Sequence, residues 1–447
     1  MSTNFRDGTD TPRAYLERCL DVIAQREPQV RAWVVRNEEA ARAAADASTE
    51  RWRAGSPLSP VDGMPIGIKD LLETADMPTQ MGCAAYAGNF PRHDNAAVWA
   101  LRRAGAVILG KTVTAELGGT EPGPTTNPFD ASRTPGGSSS GSAAAVGAGM
   151  VPATVGTQVV GSIIRPASYC GNWALKPSQG AINRGERQAT SMSTHGVHAT
   201  GPEDMWLTAM AMAAAGGDPG HAPLAGPVDT TPAPSRPHSV AVMETEGWDE
   251  LDPKTREAFD QVLGRLEELG CPVLRRGGTP PLERFERSLT GAVDMAIRIT
   301  AWENHWRLRG LIAEHPDGVS ARGQETLRVA EELGVDGYVE LLDRRRTLRA
   351  RHASLAGVAE VLISPASPGP APASSVDTPG RPRAPWPTGN PVFNAPSSVL
   401  GAPVVTVPLM TVDGLPVGVQ VLGQPGADAR VTAIARWLGD HVPPVCV

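Results

Sequence analysis

Residues 136–171 read GGSSSGSAAAVGAGMVPATVGTQVVGSIIRPASYCG. The opening run Gly136–Ser142 alone has the composition of a flexible linker. A linker would not lead straight into Ala143–Val155, whose small apolar residues suit close packing. Val155–Val160 then reads as a short strand, and Gly161-Ser162 follows it directly. The stretch therefore sets serines on either side of a tightly packed unit.

Outward from this stretch, strands and helices alternate. Thr11-Pro12 reads as an N-cap followed by proline at the first helical position. Tyr15, Leu16, Cys19, Leu20 and Ile23 then mark one face of a helix. A second helix is expected from about 37 to 52 and another over 93–105. Residues 64–68 and 107–109 read as strands. Asp252-Pro253 starts a helix with Ala258, Phe259, Val262, Leu263, Leu266 and Leu269 on one face; it ends at Gly270, and 271–274 looks like a strand. Residues 283–355 carry long charged helical patterns, and 361–363, 403–407 and 416–422 look like further strands. The alternation predicts an α/β fold. Two stretches read as loops: 219–237, crossing the surface, and 364–396, whose ten prolines lie between strand-like segments and suit an ordered loop near a binding site.

Bulk composition removes several function classes. The 447 residues carry a net charge of −7 with no long basic run, unlike a nucleic-acid binder. The polar N-terminus lacks a signal peptide's apolar core, and no apolar run is long enough to span a bilayer. The five cysteines are scattered and form no C-x-x-C pair, so neither a disulfide framework nor a zinc site is indicated. A cytoplasmic enzyme is expected.

Two motifs mislead. Gly105–Thr112, GAVILGKT, matches a phosphate-binding loop in form. Its Ala-Val-Ile-Leu interior suits a buried strand rather than a flexible cradle of N–H groups, so Lys111 is expected at a strand end. Gly137–Gly141 fits G-x-S-x-G around Ser139, but a turn precedes it where a nucleophile elbow needs a hydrophobic strand.

The stretch 136–171, together with GIKD at 67–70, VLISPASP at 361–368, APVVTVP at 402–408 and GLPVGVQVLG at 414–423, resembles the amidase signature family. That resemblance implies a single large domain with a central mixed β-sheet flanked by helices on both sides. A helical lead would occupy about 1–60, the signature core about 61–206, a variable region about 207–360 and a C-terminal core segment about 361–447. It further implies an amidohydrolase with a Ser–Ser–Lys triad: Ser162 as nucleophile, Ser138 as bridging serine after a cis peptide, and Lys69 as base. The backbone N–H groups of Val159, Val160, Gly161 and Ser162 would form the oxyanion hole. No metal or organic cofactor would be required. The expected partner is a small-molecule amide, with no nucleic acid or membrane; a homodimer is a reasonable arrangement for a soluble enzyme.

The chain departs from the family at Val160, where glycine is usual. A β-branched residue resists positive φ and narrows a pocket, which predicts a tolerant loop or altered activity. Gln158 stands where many members carry aspartate, and GSIIRPA is similar to malonamidase-type members, in which the arginine matching Arg165 holds a substrate carboxylate. The alternative for Arg165 is a local acid that it pairs with. His195 and His198, in STHGVHA, read as hydrogen-bonding residues of a Gly/Thr loop rather than metal ligands, and Cys170 as a small buried residue. Two rival functions stay open: the amidase subunit of a tRNA-dependent amidotransferase, and a catalytically impaired member used for binding.

Overall fold

Strand residues that alternate sides feed separate cores on the two faces of one sheet. Ile108 joins one hydrophobic cluster, while Val107 and Leu109 join another; Val405 and Val404 divide in the same way, as do Val240 and Ala241. The computed structural model describes residues 2–185, 190–375 and 384–447. Its strands are β1 (Trp33–Arg36), β2 (Pro65–Lys69), β3 (Val107–Thr112), β4 (Ala153–Gln158), β5 (Trp173–Lys176) and β6 (Thr194–Ala199). They continue with β7 (Val240–Val242), β8 (Val273–Leu274), β9 (Val361–Pro365), β10 (Val404–Val412), β11 (Leu415–Leu422) and β12 (Val445–Cys446).

These strands form a sheet in the order β1-β3-β2-β4-β6-β5-β10-β11-β9-β7-β8, with β12 beside β10. β2 runs parallel to both β3 and β4, whereas β6 is antiparallel to β4 and β5. One face is covered by the helices Ala96–Arg103, Pro202–Ala213, Pro253–Glu268 and Asp428–His441. The other carries Pro12–Val30, Glu38–Arg53 and Ser140–Gly147, together with Ile164–Tyr169 and the long helices Ala292–Glu314 and Ala321–Ser354. The expected mixed sheet with helices on both sides is the observed fold.

Local signals behave as their chemistry predicts. Thr11 accepts a hydrogen bond from the Ala14 N–H, and Asp252 accepts one from Thr255. The 253–268 helix buries Ala258, Phe259, Val262, Leu263 and Leu266 and stops at Gly270, which has φ +74°. The GAVILGKT segment is strand β3, so it cannot cradle phosphate as a loop; Lys111 lies inside that strand, fully buried.

Two expectations are corrected. β4 ends at Gln158 rather than Val160, which releases Val159–Ser162 into a turn. The 194–199 segment is a central strand and not a loop. Its Gly196 lies so close to β5 that a Cβ there would sit 2.2 Å from the Leu175 carbonyl oxygen. Residues 376–383 of the proline-rich segment lie outside the described residues, and residues 391–400 bring the chain back into the buried interior. Among the described residues no helix is long and apolar enough to cross a membrane.

Candidate active site

Parallel strands collect side chains at their carboxyl ends, and in open α/β sheets ligands bind there. Lys69 closes β2, and Thr157 sits one residue before the end of the neighbouring β4. Ser138 and Ser139 lie at the start of the helix Ser140–Gly147, after a cis Gly137–Ser138 peptide. Ser162 occupies the turn between β4 and the helix Ile164–Tyr169.

Lys69 is fully buried, and its Nζ touches only neutral oxygens. Ser138 Oγ lies 2.8 Å away, Ser139 Oγ 2.9 Å, Thr157 Oγ1 2.9 Å and the Thr157 carbonyl 3.4 Å. Burial, and secondarily the Arg165 charge, hold the lysine well below its ordinary pKa, in the direction of the neutral amine. The two serines differ. Ser139 Oγ donates to the Thr157 carbonyl at 3.1 Å, so its proton is committed. Ser138 Oγ has no other acceptor among the described residues, so its proton is the one free to pass to Nζ.

Ser138 and Ser162 both line a cavity of about 380 Å³. Its walls include Thr157, Val159, Val160, Gly161, Arg165 and His195. The backbone N–H groups of 159–162 have no acceptor among the described residues. Neither Val159 nor Val160 has positive φ, so the turn accepts β-branched residues without left-handed backbone. Gln158 braces this turn from behind: its Oε1 accepts the N–H groups of Ile163 at 2.9 Å and Ile164 at 3.1 Å. Its Nε2 donates to Ser397 and Ser398, both at 3.2 Å.

Arg165 is buried without an acid partner among the described residues, which removes the local-acid alternative. Its Nε donates to the Thr388 carbonyl at 2.7 Å and its Nη2 to the Gly137 carbonyl at 2.6 Å, while Nη1 has no partner. Burial lowers its pKa to about 10. Gly161 packs closely here, since a Cβ would come within 2.6 Å of Nη1 and 3.0 Å of the Asn394 Cβ, so a larger residue would displace the Arg165 fork. The proline-rich segment closes the cavity with Trp386, Thr388, Gly389 and Pro391, and the long helices supply Ile297, Ala301 and Arg322.

His195 lines the cavity, but His198 does not. Burial lowers their pKa values to about 4 and about 3, so both rings are neutral at pH 7. Cys170 is buried, as expected. Thr157 and Ser139 are site residues that the sequence reading did not assign. Thr157 stands beside Gln158 in the same motif, but only the β2–β4 pairing brings it to Lys69.

The Amidase family model matches residues 14–432. A glutamyl-tRNA(Gln) amidotransferase subunit from Chloroflexus aggregans is 32% identical, covering 94% of this chain and 90% of the relative. A crystal structure of an amidase superposes with TM-score 0.84 at 29% identity, covering 99% of this chain and 98% of that one. The peptide amidase of Stenotrophomonas maltophilia superposes with TM-score 0.75 at 25% identity, with 99% and 96% covered. Sequence and fold agree over nearly the whole length, and the chain belongs to the amidase signature family of amide-cleaving enzymes.

Proposed function

We propose that the chain hydrolyses the C–N bond of a small-molecule amide through an acyl-enzyme on Ser162. The observation that carries this reading is the fully buried Lys69 amine, surrounded by neutral oxygens and 2.8 Å from Ser138 Oγ. A serine hydroxyl is a weak nucleophile until a base takes its proton. Neutral Lys69 accepts the proton of Ser138, which takes that of Ser162 as Ser162 attacks the carbonyl carbon. The tetrahedral oxyanion is met by the free N–H groups of 159–162; one well-placed donor is worth about 10²–10³ in rate. Collapse breaks the C–N bond, and the relay returns the proton to the leaving amine. Water then hydrolyses the ester on Ser162 by the same relay. Five unpaired cysteines support a cytoplasmic setting.

Pockets for drug-sized ligands span about 300–1,000 Å³. At about 380 Å³, with Leu71, Leu72, Ile297 and Trp386 in its walls, this cavity suits a substrate with an apolar group beyond the scissile amide. Arg165, a buried cation without an acid partner among the described residues, supports a carboxylate on that substrate. A panel of malonamate, longer ω-carboxylated amides and neutral aliphatic and aryl amides checks this; equal turnover of neutral amides would remove the carboxylate.

The decisive test combines that panel with fluorophosphonate labelling. Wild type should label, and Ser162→Ala should lose labelling and at least about 10⁴ in kcat. Full activity of Ser162→Ala overturns the mechanism. A second reading, as one component of an amidotransferase, is favoured by the relative from Chloroflexus aggregans. Hydrolysis of free amides by the isolated chain supports the first reading, and strict dependence on partner subunits the second.

A further inference from the structure

A buried guanidinium without a carboxylate is expensive to maintain, because removing a charge from water is repaid only by good partners. Among the described residues Arg165 has three partners, all neutral: the Thr388 carbonyl and hydroxyl and the Gly137 carbonyl. The last belongs to the peptide that leads into Ser138, and Ser138 Oγ is bonded to Lys69 Nζ. One peptide group and one hydroxyl therefore join the cation to the amine.

We infer that Arg165 is a positioning residue for the base, holding Lys69 in its unprotonated form while clamping the Gly137–Ser138 peptide to the proline-rich segment. This rests on the triad reading above. The other charged or titratable groups around Lys69 do not supply that field. His195 and His198 on β6 are neutral. Lys111 on β3 is paired with Asp70 at 3.0 Å. Glu116, on the cavity wall, is held by the Ser320 N–H at 2.9 Å. Arg165, which has no acid partner among the described residues, is the cation whose charge acts on Lys69. In a medium of effective dielectric about 20, a unit charge within about 10 Å shifts a neighbour's pKa by about one unit.

The sign follows from the role. Lys69 works as a base only when neutral, and a nearby cation lowers the pH at which it becomes so. Removing the cation must move the acid limb of the reaction to higher pH. The readout is the pH dependence of the rate at which a small neutral fluorophosphonate labels Ser162, with thermal unfolding as a control. Arg165→Met and Arg165→Gln should each shift the acid limb upward by about one pH unit. Arg165→Lys keeps the charge and loses the fork, so its plateau should fall with the limb in place.

A limb that stays put in the neutral variants overturns the inference, as does an equal shift in Arg165→Lys. Failure of the neutral variants to fold would assign the charge to stability and overturn it as well. Wild type that does not label, or Ser162→Ala that does, would instead bring down the triad reading.

Discussion

Two lysines sit on neighbouring strands of the same sheet, both fully buried, with opposite surroundings. Lys111 on β3 pairs in register with Ile68, and Lys69 on β2 with Thr112, so the two side chains leave opposite faces. Lys111 meets Asp70 at 3.0 Å, Thr79 Oγ1 at 2.6 Å and the Pro78 carbonyl at 3.2 Å. Lys69 meets three hydroxyls and a carbonyl. Burial lowers both pKa values, but Asp70 pulls Lys111 back toward its charged form while Arg165 pushes Lys69 further from it. The same residue type at the same depth is held toward its charged form beside a carboxylate and toward its neutral form beside hydroxyls, as the proposed base requires. Burial acts on both lysines, and the charge of their neighbours sets them apart.

The largest effect should come from the uncompensated lysine. Lys69→Met should lower kcat by about 10³–10⁴ and leave stability unchanged or higher, because a buried amine is replaced by an apolar chain of similar length. Steady-state kinetics beside thermal unfolding reads both. Retention of more than a tenth of the activity would break the contrast.

Lys111→Met should do the reverse. It strands Asp70 in the core and should destabilise by about 3–5 kcal/mol, read as a lower denaturant midpoint. A double variant, Lys111→Met with Asp70→Leu, should recover most of that loss. A single variant as stable as wild type would mean that the pair holds nothing together.

At neutral pH the smallest effect concerns His198, whose ring nitrogens have no partner among the described residues and whose contribution shows only as pH falls. Its pKa falls from 6.5 to about 3 on folding. The unfolded chain therefore binds a proton that the folded one refuses, so stability is complete above about pH 6.5 and declines as pH falls toward 3. The slope from this ring is about 1.4 kcal/mol per pH unit. His198→Phe should flatten the stability–pH curve over that window. An unchanged curve would place the acid sensitivity elsewhere.

The legible part of the molecule was its local and motif-borne chemistry. The amphipathic 253–268 helix, its Asp252 cap and its glycine stop follow from spacing and side-chain type. Ser138, Ser162 and Lys69 could be assigned as candidates because they sit in ordered motifs, and the fold brings Lys69 and Ser138 into contact. The 194–199 segment was misread because THGVHA shows no clean alternation and contains glycine. It is a strand because β4 and β5 pair with both its edges. Val160 implied either a tolerant loop or altered activity, and the backbone keeps negative φ there while Gln158 and Ser398 hold the turn.

The sequence by itself determined the family, the strand–helix alternation, and the serines and lysine that the site would need. Each is encoded by side-chain type at short spacing. Tertiary structure alone decided which serine has a free proton, which lysine lacks a carboxylate, and what Arg165 holds. Those depend on contacts between residues far apart in the chain, such as Lys69 with Thr157 and Arg165 with Thr388. They depend as well on exclusion of water, which lowers the Lys69 pKa only after the sheet and its helices have closed around it.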